Sequence, residues 1–309
     1  MKHRFILILT IAAIALNFGC QGKNAKGRKV KVEAKPFNVV AIFLPLQVFT
    51  ANVIGQREGV FLDRLLPASG IDPHNYSMSP QDVAKLYESD VIIINGFSFE
   101  QRFADTIGEI EDEALVVNAS EGITPILYGE SEDDPEHPKV DVNPHCWASP
   151  KTAITMVENI RNGLIKADPK GTEVYMANTA NYIDRLKALD AQIALTLAGV
   201  PGRGIVTFHN AFDYFARDYG LDIIAVIETH PGQQPSAGEL AKLANLIKES
   251  GVKVIFAEPQ YPTEIADVLA KETGAEVLVL DPYGTGTFSL DGYELVWQAN
   301  LKNLVKALS

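Results

Sequence analysis

The chain has 309 residues, of which 47% are hydrophobic, and its formal net charge is −12. This length exceeds what a single average core organises, which favours two domains. A strongly acidic surface argues against nucleic-acid binding and suits a cationic ligand, so no nucleic-acid partner is expected.

The amino terminus has the pattern of a secretory signal. Basic residues precede an apolar run over residues 5–16 that is too short for a membrane span. Gly19-Cys20 follows and resembles the bacterial lipobox, whose cysteine is lipidated; simple secretion is the alternative. We therefore expect a signal peptide over residues 1–19, a polar tether over 20–35, and a periplasmic protein or a lipoprotein anchored to the membrane through Cys20.

The first half of the chain has α/β character. Residues 38–43, 91–94 and 114–118 are apolar runs of strand type, and helices are predicted over 47–55, 80–88 and 151–164. Ser79-Pro80 and Ser149-Pro150 are typical of an N-cap followed by the first helical position. Strands that are apolar at every residue indicate a parallel sheet covered on both faces. We therefore predict an N-terminal α/β lobe over residues 36–167.

A long helix is predicted over residues 168–199, because apolar residues recur there at steps of three and four. Its length would be about 45 Å, which exceeds the width of one small domain, so we interpret it as a linking helix. Strands at 204–208, 222–226, 253–257 and 276–280 then alternate with helices at 211–219, 236–250, 263–273 and 292–308. This pattern predicts a similar C-terminal lobe over residues 200–309.

Three histidines and one aspartate occupy comparable positions. His74 and His145 each follow a proline, which stiffens the backbone, and each precedes a capped helix. His209 and Asp281 follow predicted strands, at the edge where open α/β sheets bind ligands. Each residue alone could equally be a cap or turn residue. Their recurrence favours a shared metal site in the cleft between the lobes.

Five motifs, in this order, resemble the metal-binding solute-receptor family of bacterial ABC transporters, the zinc and manganese type. The resemblance runs from about residue 38 to 308 and implies two α/β lobes joined by a long helix, with metal ligands at the positions of His74, His145, His209 and Asp281. It also implies a monomeric binding protein, not an enzyme, that delivers a divalent metal to an ABC permease. The motifs are Asp72-Pro73-His74-Asn75-Tyr76, Asn143-Pro144-His145, Thr207-Phe208-His209-Asn210-Ala211, Phe256-Ala257-Glu258-Pro259-Gln260 and Leu280-Asp281-Pro282.

The ligand set favours Zn²⁺ as the transported ion. Three imidazoles and one carboxylate suit tetrahedral zinc. Manganese-type members of the family have a glutamate where this chain has His209, and oxygen ligands favour harder ions, so Mn²⁺ is the alternative.

Two features depart from the family pattern, and one further histidine lies near the predicted site. Cys146 stands where an aliphatic residue is usual; in an extended segment its side chain would point away from that of His145, so we expect a buried thiol. Residues 130–137 form an acidic run with one histidine, His137, in place of a histidine-rich loop, and we interpret it as solvated. His230 lies in a predicted loop near the cleft, where it could replace a ligand or contact one, but a structural role is favoured for it.

Two other functions stay open. A secreted zinc hydrolase would use Glu258 as its base, but four protein ligands would leave no position for water. A surface adhesin-type lipoprotein could use the same scaffold.

Overall fold

Two four-stranded parallel sheets organise the chain in the computed structural model, which describes residues 35–67, 76–111, 113–128, 141–228 and 234–309. The strand order in the first sheet is β2-β1-β3-β4. Its central strands are buried because both faces carry apolar side chains, as the continuous apolar runs predicted. The elements of this lobe are β1 (Phe37–Ala41), α1 (Leu44–Ile54), β2 (Val60–Arg64), α2 (Pro80–Tyr87), β3 (Val91–Ile94), α3 (Ala104–Ile110) and β4 (Leu115–Asn118).

The connection between the sheets is mainly helical. A short antiparallel pair, β5 (Leu127–Tyr128) and β6 (Asp141–Val142), leads into α4 (Pro150–Ala167) and then α5 (Thr172–Ala198). The long helix α5 has 27 residues, which corresponds to about 40 Å. A 3₁₀ turn over Pro169–Gly171 precedes it, so the α-helix begins later than the sequence pattern predicted.

The second sheet has the strand order β10-β9-β7-β8, again fully parallel. Both four-stranded sheets, together with the long helix, confirm the predicted architecture of two parallel-sheet α/β lobes. The elements of this lobe are β7 (Gly204–Thr207), α6 (Asp213–Tyr219), β8 (Asp222–Val226), α7 (Ala237–Ser250), β9 (Val254–Ala257), α8 (Glu264–Thr273), β10 (Glu276–Val279) and α9 (Gly292–Leu308).

The two faces of the second sheet contribute to different cores. Successive side chains of a strand point to opposite faces, so Ile205 and Phe256 join one cluster while Val206 and Ile255 join the other. The first of these clusters is the larger. It contains buried side chains of the first sheet and of α1, α4, α5, α6 and α9, so one apolar core is continuous between the lobes.

Direct hydrogen bonds also join the lobes. Trp147 Nε1 donates to the carbonyl of Pro282 at 2.8 Å, and the Tyr293 hydroxyl donates to the carbonyl of Trp147 at 2.8 Å. Ser149 occupies the predicted N-cap position of α4, but its hydroxyl donates to Asp218 Oδ2 at 2.6 Å instead of capping the helix. These contacts fix the loop around residue 145 against the second lobe.

Several elements differ from the predicted ones. Strand β2 and helix α3 were not predicted, and α1 begins three residues early because Pro45 is accommodated in its first turn. In the described ranges, no helix is both long and apolar enough to cross a membrane.

Candidate metal site

Three polar residues lie at the carboxyl edge of the second sheet, where parallel strands leave a crevice for ligands. His209 follows β7, Glu258 follows β9, and Asp281 follows β10. Because the strand order is β10-β9-β7, Glu258 lies between the other two along this edge. His145 approaches from the first lobe, on the loop that follows β6.

The structure brings His145 and His209 into direct contact. Their Nε2 atoms are 3.2 Å apart, and the two rings are nearly perpendicular, with an interplanar angle of 78°. Each histidine is only 4% exposed. The pair therefore lies in a largely dehydrated crevice at the boundary between the lobes.

Glu258 determines the tautomer of His209. Its Oε1 atom lies 2.6 Å from His209 Nδ1 and also accepts the backbone N–H of His209 at 3.2 Å. A carboxylate oxygen accepts hydrogen bonds, so Nδ1 carries the proton. Gln260 Nε2 donates to the second oxygen of the same carboxylate at 2.7 Å. The unprotonated nitrogen of a neutral His209 is consequently Nε2.

Asn143 determines the tautomer of His145 in a similar way. Its Oδ1 atom lies 2.8 Å from His145 Nδ1 and accepts the backbone N–H of His145 at 2.9 Å. An amide oxygen can only accept, so the proton of His145 is also on Nδ1. Both neutral imidazoles then present an Nε2 lone pair to the same point.

The spacing of the two nitrogens matches one edge of a zinc tetrahedron. With Zn–N bonds of about 2.0–2.1 Å, two ligand nitrogens in tetrahedral geometry lie about 3.3 Å apart. The observed separation of 3.2 Å is close to this value. Two lone pairs at this distance repel each other unless a cation or a proton lies between them, so the geometry is compatible with one bound cation.

Asp281 adds a carboxylate to the same edge. Burial, together with the negative charge of Glu258, raises the pKa of Asp281 to about 6. The Asp281 Oδ1 atom accepts the backbone N–H of Tyr283 at 2.7 Å. Asn300 exchanges two hydrogen bonds with the backbone of Asp281, at 2.9 Å and 2.7 Å. A nearby cation would instead favour the ionised form of this carboxyl group.

Aromatic rings enclose the histidine pair. The Trp147 ring lies 5.0 Å from that of His145, and the Tyr261 ring lies 5.4 Å from that of His209. Tyr261 also stacks on Phe208 at 4.9 Å. These contacts restrict ring rotation and lower the local dielectric, which strengthens electrostatic interactions within the crevice.

The four predicted ligands are not all seen together. The structure pairs His145 with His209 and places Asp281 at the same sheet edge, whereas His74 lies outside the described residues. Among the residues that are described, no three His, Cys, Asp or Glu side chains form a group that could hold a metal ion. Cys20, the acidic run with His137, and His230 also lie outside the described ranges.

Cys146 is a buried free thiol, as expected, but the predicted reason was wrong. The residue begins a 3₁₀ turn, Cys146–Ala148, and is not in an extended segment. Its Sγ atom lies 3.7 Å from Met156 Sδ and 3.9 Å from Asn95 Oδ1. The thiol therefore packs within the first lobe, away from the histidine pair.

The sequence patterns did not reveal that Asn143 orients a histidine, and they suggested Glu258 only as a possible base. A usable signal existed for Glu258, which follows an apolar strand directly, as His209 and Asp281 do. The only sequence signal for Asn143 was its position two residues before the predicted ligand His145, and this position does not by itself indicate a hydrogen bond between the two side chains.

Comparison with known proteins identifies the family. A family model described as ZnuA, zinc-uptake complex component A, periplasmic, matches residues 39–307. The chain belongs to this family. This confirms the resemblance to metal-binding solute receptors of bacterial ABC transporters that the five motifs indicated.

Individual relatives agree with this assignment. The chain is 33% identical over 297 residues to the zinc-binding protein AdcA of Streptococcus pyogenes serotype M1, covering 91% of this chain and 56% of AdcA. It is 32% identical over 281 residues to the high-affinity zinc uptake system protein ZnuA of Bacillus subtilis, covering 89% of this chain and 87% of that protein. The chain thus spans little more than half the length of AdcA.

Solved structures share the fold over nearly the same range. A crystal structure of ZnuA matches with a TM-score of 0.78 and 29% identity, covering 89% of this chain and all of that one. The laminin-binding protein Lmb of Streptococcus agalactiae, described as bifunctional with adhesin and metal-transporting activity, matches with a TM-score of 0.76 and 27% identity, covering 88% of this chain and all of Lmb.

Proposed function

We propose that this protein captures Zn²⁺ outside the cytoplasmic membrane and delivers it to the permease of an ABC transporter. The observation that carries the proposal is the His145–His209 pair, whose Nε2 atoms are 3.2 Å apart while each Nδ1 is held by an oxygen acceptor. Family membership supports the transport role.

The proposed ligands are His74, His145, His209 and Asp281. The two described histidines would bind through Nε2, and Asp281 would supply a negative charge that the cation stabilises in its ionised form. Asp281 together with the Glu258 carboxylate would balance the two positive charges of the ion. Mn²⁺ is the alternative cargo. Because such sites generally bind zinc more tightly than manganese in vitro whichever ion the cell loads, anomalous scattering at the zinc and manganese edges on protein purified without added metal decides between them.

The protein would be a binding protein and not an enzyme. Glu258 is the carboxylate that a hydrolase would need as its base, yet its oxygens lie against His209 Nδ1 and Gln260 Nε2. These contacts support a role in orienting a ligand histidine, because a general base must reach the proton that it abstracts. A signal peptide and a lipid on Cys20 would place the protein in the periplasm or on the outer face of the cytoplasmic membrane.

Adhesion is a second candidate function, because the similar structure of Lmb is described as having both adhesin and metal-transporting activity. The two functions are not exclusive, since adhesion would use an outer surface and metal capture uses the crevice. Binding of immobilised laminin by the metal-free and zinc-loaded chain would test the adhesin role separately.

The metal-binding proposal is tested on chelator-stripped full-length protein by competition with a chromophoric zinc chelator. We expect one Zn²⁺ per chain, and the His145→Ala variant should bind at least about 10–100-fold more weakly, since losing even an outer partner of a ligand has that effect. His137→Ala, in the acidic run interpreted as solvated, is the matched control and should bind like the parent.

Absence of zinc binding by the parent, or unchanged binding by His145→Ala, would contradict the proposal. Transport is tested by growth under zinc limitation. A strain that lacks the gene should be restored by the parent and not by His145→Ala, and equal restoration by both would contradict the delivery role.

A further inference from the structure

Asn143 uses all of its polar groups while it is completely buried. Its backbone N–H donates to the carbonyl of Ile126 at 2.8 Å, and its carbonyl accepts the hydroxyl of Tyr214 at 2.8 Å. Its side-chain oxygen accepts both N–H groups of His145. Its side-chain nitrogen donates to the carbonyl of Asn210 at 2.7 Å and to Asp213 Oδ2 at 3.1 Å.

These partners require a neutral amide at this position. One end of the side chain must accept two hydrogen bonds and the other end must donate two, which asparagine can do. An aspartate would place a carboxylate oxygen against the Asn210 carbonyl and the Asp213 carboxylate, and like charges in a buried site repel strongly. The amide orientation is therefore determined by the network.

The two ends of this amide contact different lobes. The oxygen orients His145 of the first lobe, whereas the nitrogen contacts Asn210 and Asp213 of the second lobe, which lie one and four residues after His209. The 209–213 segment thus carries His209 and also hydrogen-bonds to Asn143, the residue that orients His145.

We infer that Asn143 is a positioning residue that couples the two halves of the zinc site, holding His145 toward His209 only while the 209–213 segment is docked against the first lobe. This inference rests on the proposed zinc-binding function. Separation of that segment would free the amide and let the His145 ring rotate, so zinc release would begin at His145. His209 would keep its orientation, because Glu258 belongs to its own lobe.

The inference is tested by the rate of zinc release from the loaded full-length protein into excess chromophoric chelator, followed by stopped flow. Asn143→Ala removes the oxygen acceptor of His145 and the donor to Asn210 and Asp213, so it should release zinc at least about tenfold faster than the parent, as expected for the loss of an outer partner. Asp213→Ala leaves both contacts between Asn143 and His145 in place and removes one contact between the lobes. It should accelerate release about threefold to tenfold, as expected for one hydrogen bond.

Two control variants separate this role from a general loss of stability. Asp213→Asn keeps an oxygen acceptor for the Asn143 amide and should release zinc like the parent. Asn159 donates through its amide to the carbonyls of Ala119 and Glu121 at 2.8 Å and 2.9 Å, within the first lobe. Asn159→Ala therefore makes the same chemical change without affecting a contact between lobes, and its release rate should not change.

Each outcome decides the question. Release at the parent rate from both Asn143→Ala and Asp213→Ala would overturn the inference, and so would equal acceleration by Asn159→Ala. If Asn143→Ala does not fold, Asp213→Ala and Asp213→Asn still decide, because faster release from Asp213→Ala than from Asp213→Asn supports the coupling and identical rates refute it. A parent that loads no zinc would refute the proposed function, whereas a parent that loads zinc normally confines any failure to the inference.

Discussion

Replacing Glu258 by glutamine isolates the charge that one buried carboxylate contributes to metal binding. The Glu258 side chain is fully buried, and its Oε1 atom lies 2.6 Å from His209 Nδ1. Glutamine keeps an oxygen acceptor for His209, so the ring should stay oriented with Nε2 toward His145. The new amide group would instead face Gln260 Nε2, which donates to Glu258 in the parent at 2.7 Å, so one hydrogen bond is lost.

The expected effect is a 10–100-fold loss of zinc affinity, which is typical for partners of ligand histidines and corresponds to about 1.4–2.7 kcal/mol. The physical cause is the weaker basicity of an imidazole whose Nδ1–H contacts a neutral oxygen instead of a carboxylate. Competition titration at neutral pH measures the change, and circular dichroism verifies that the variant is folded.

The matched control is Glu276→Gln, which removes a carboxylate from the same lobe at an exposed position paired with Lys306. Its zinc affinity should change less than about twofold, because exposed charges are screened by solvent. If Glu258→Gln binds as tightly as a zinc-binding parent, or if both variants weaken equally, the interpretation of Glu258 is wrong.

Two further predictions concern buried ionisable groups in the first lobe. Burial raises the pKa of Glu100 from 4.5 to about 7, so its contribution to stability is present below about pH 4.5 and is lost as the pH rises through 7. This loss is on the order of 3 kcal/mol of unfolding free energy. When the metal-free protein is unfolded in urea at a series of pH values, the unfolding free energy of Glu100→Gln should fall less with rising pH than that of the parent. An equal pH dependence for parent and variant would contradict the prediction. Burial also raises the pKa of the Cys146 thiol well above its usual range. A thiol reagent should therefore label the folded parent and folded Cys146→Ser equally, and it should label one additional thiol of the parent only in denaturant. Rapid labelling of Cys146 in the folded parent would refute this.

Most of the fold follows from local sequence signals. Strands such as Val91–Ile94 are apolar at every residue, and helices such as Pro80–Tyr87 begin at a serine that forms a capping box. Strand Val60–Arg64 lacked this signal because it alternates, with Phe61 59% exposed. Helix Ala104–Ile110 was missed because it is short and contains Gly108, and glycine lowers helix propensity.

The candidate site was only partly predictable. His145 and His209 could be selected because one follows a proline and the other follows a buried strand. The hydrogen bond between His209 and Glu258 depends on β7 and β9 being neighbours, which only the strand order reveals. The contact of Asn143 with Asn210 and Asp213 requires two lobes to meet, and no local pattern reports that contact.

The apolar core that continues from the first sheet through α4, α5 and α9 to one face of the second sheet affects how the protein unfolds. Neither lobe could expose its share of that core without destabilising the other, so the described part of the chain should melt in one cooperative transition. Opening the crevice must then cost much less free energy than unfolding the whole protein. Exchange of the ion would therefore proceed through native-state fluctuations of the loops around His145 and His209, with both sheets remaining intact.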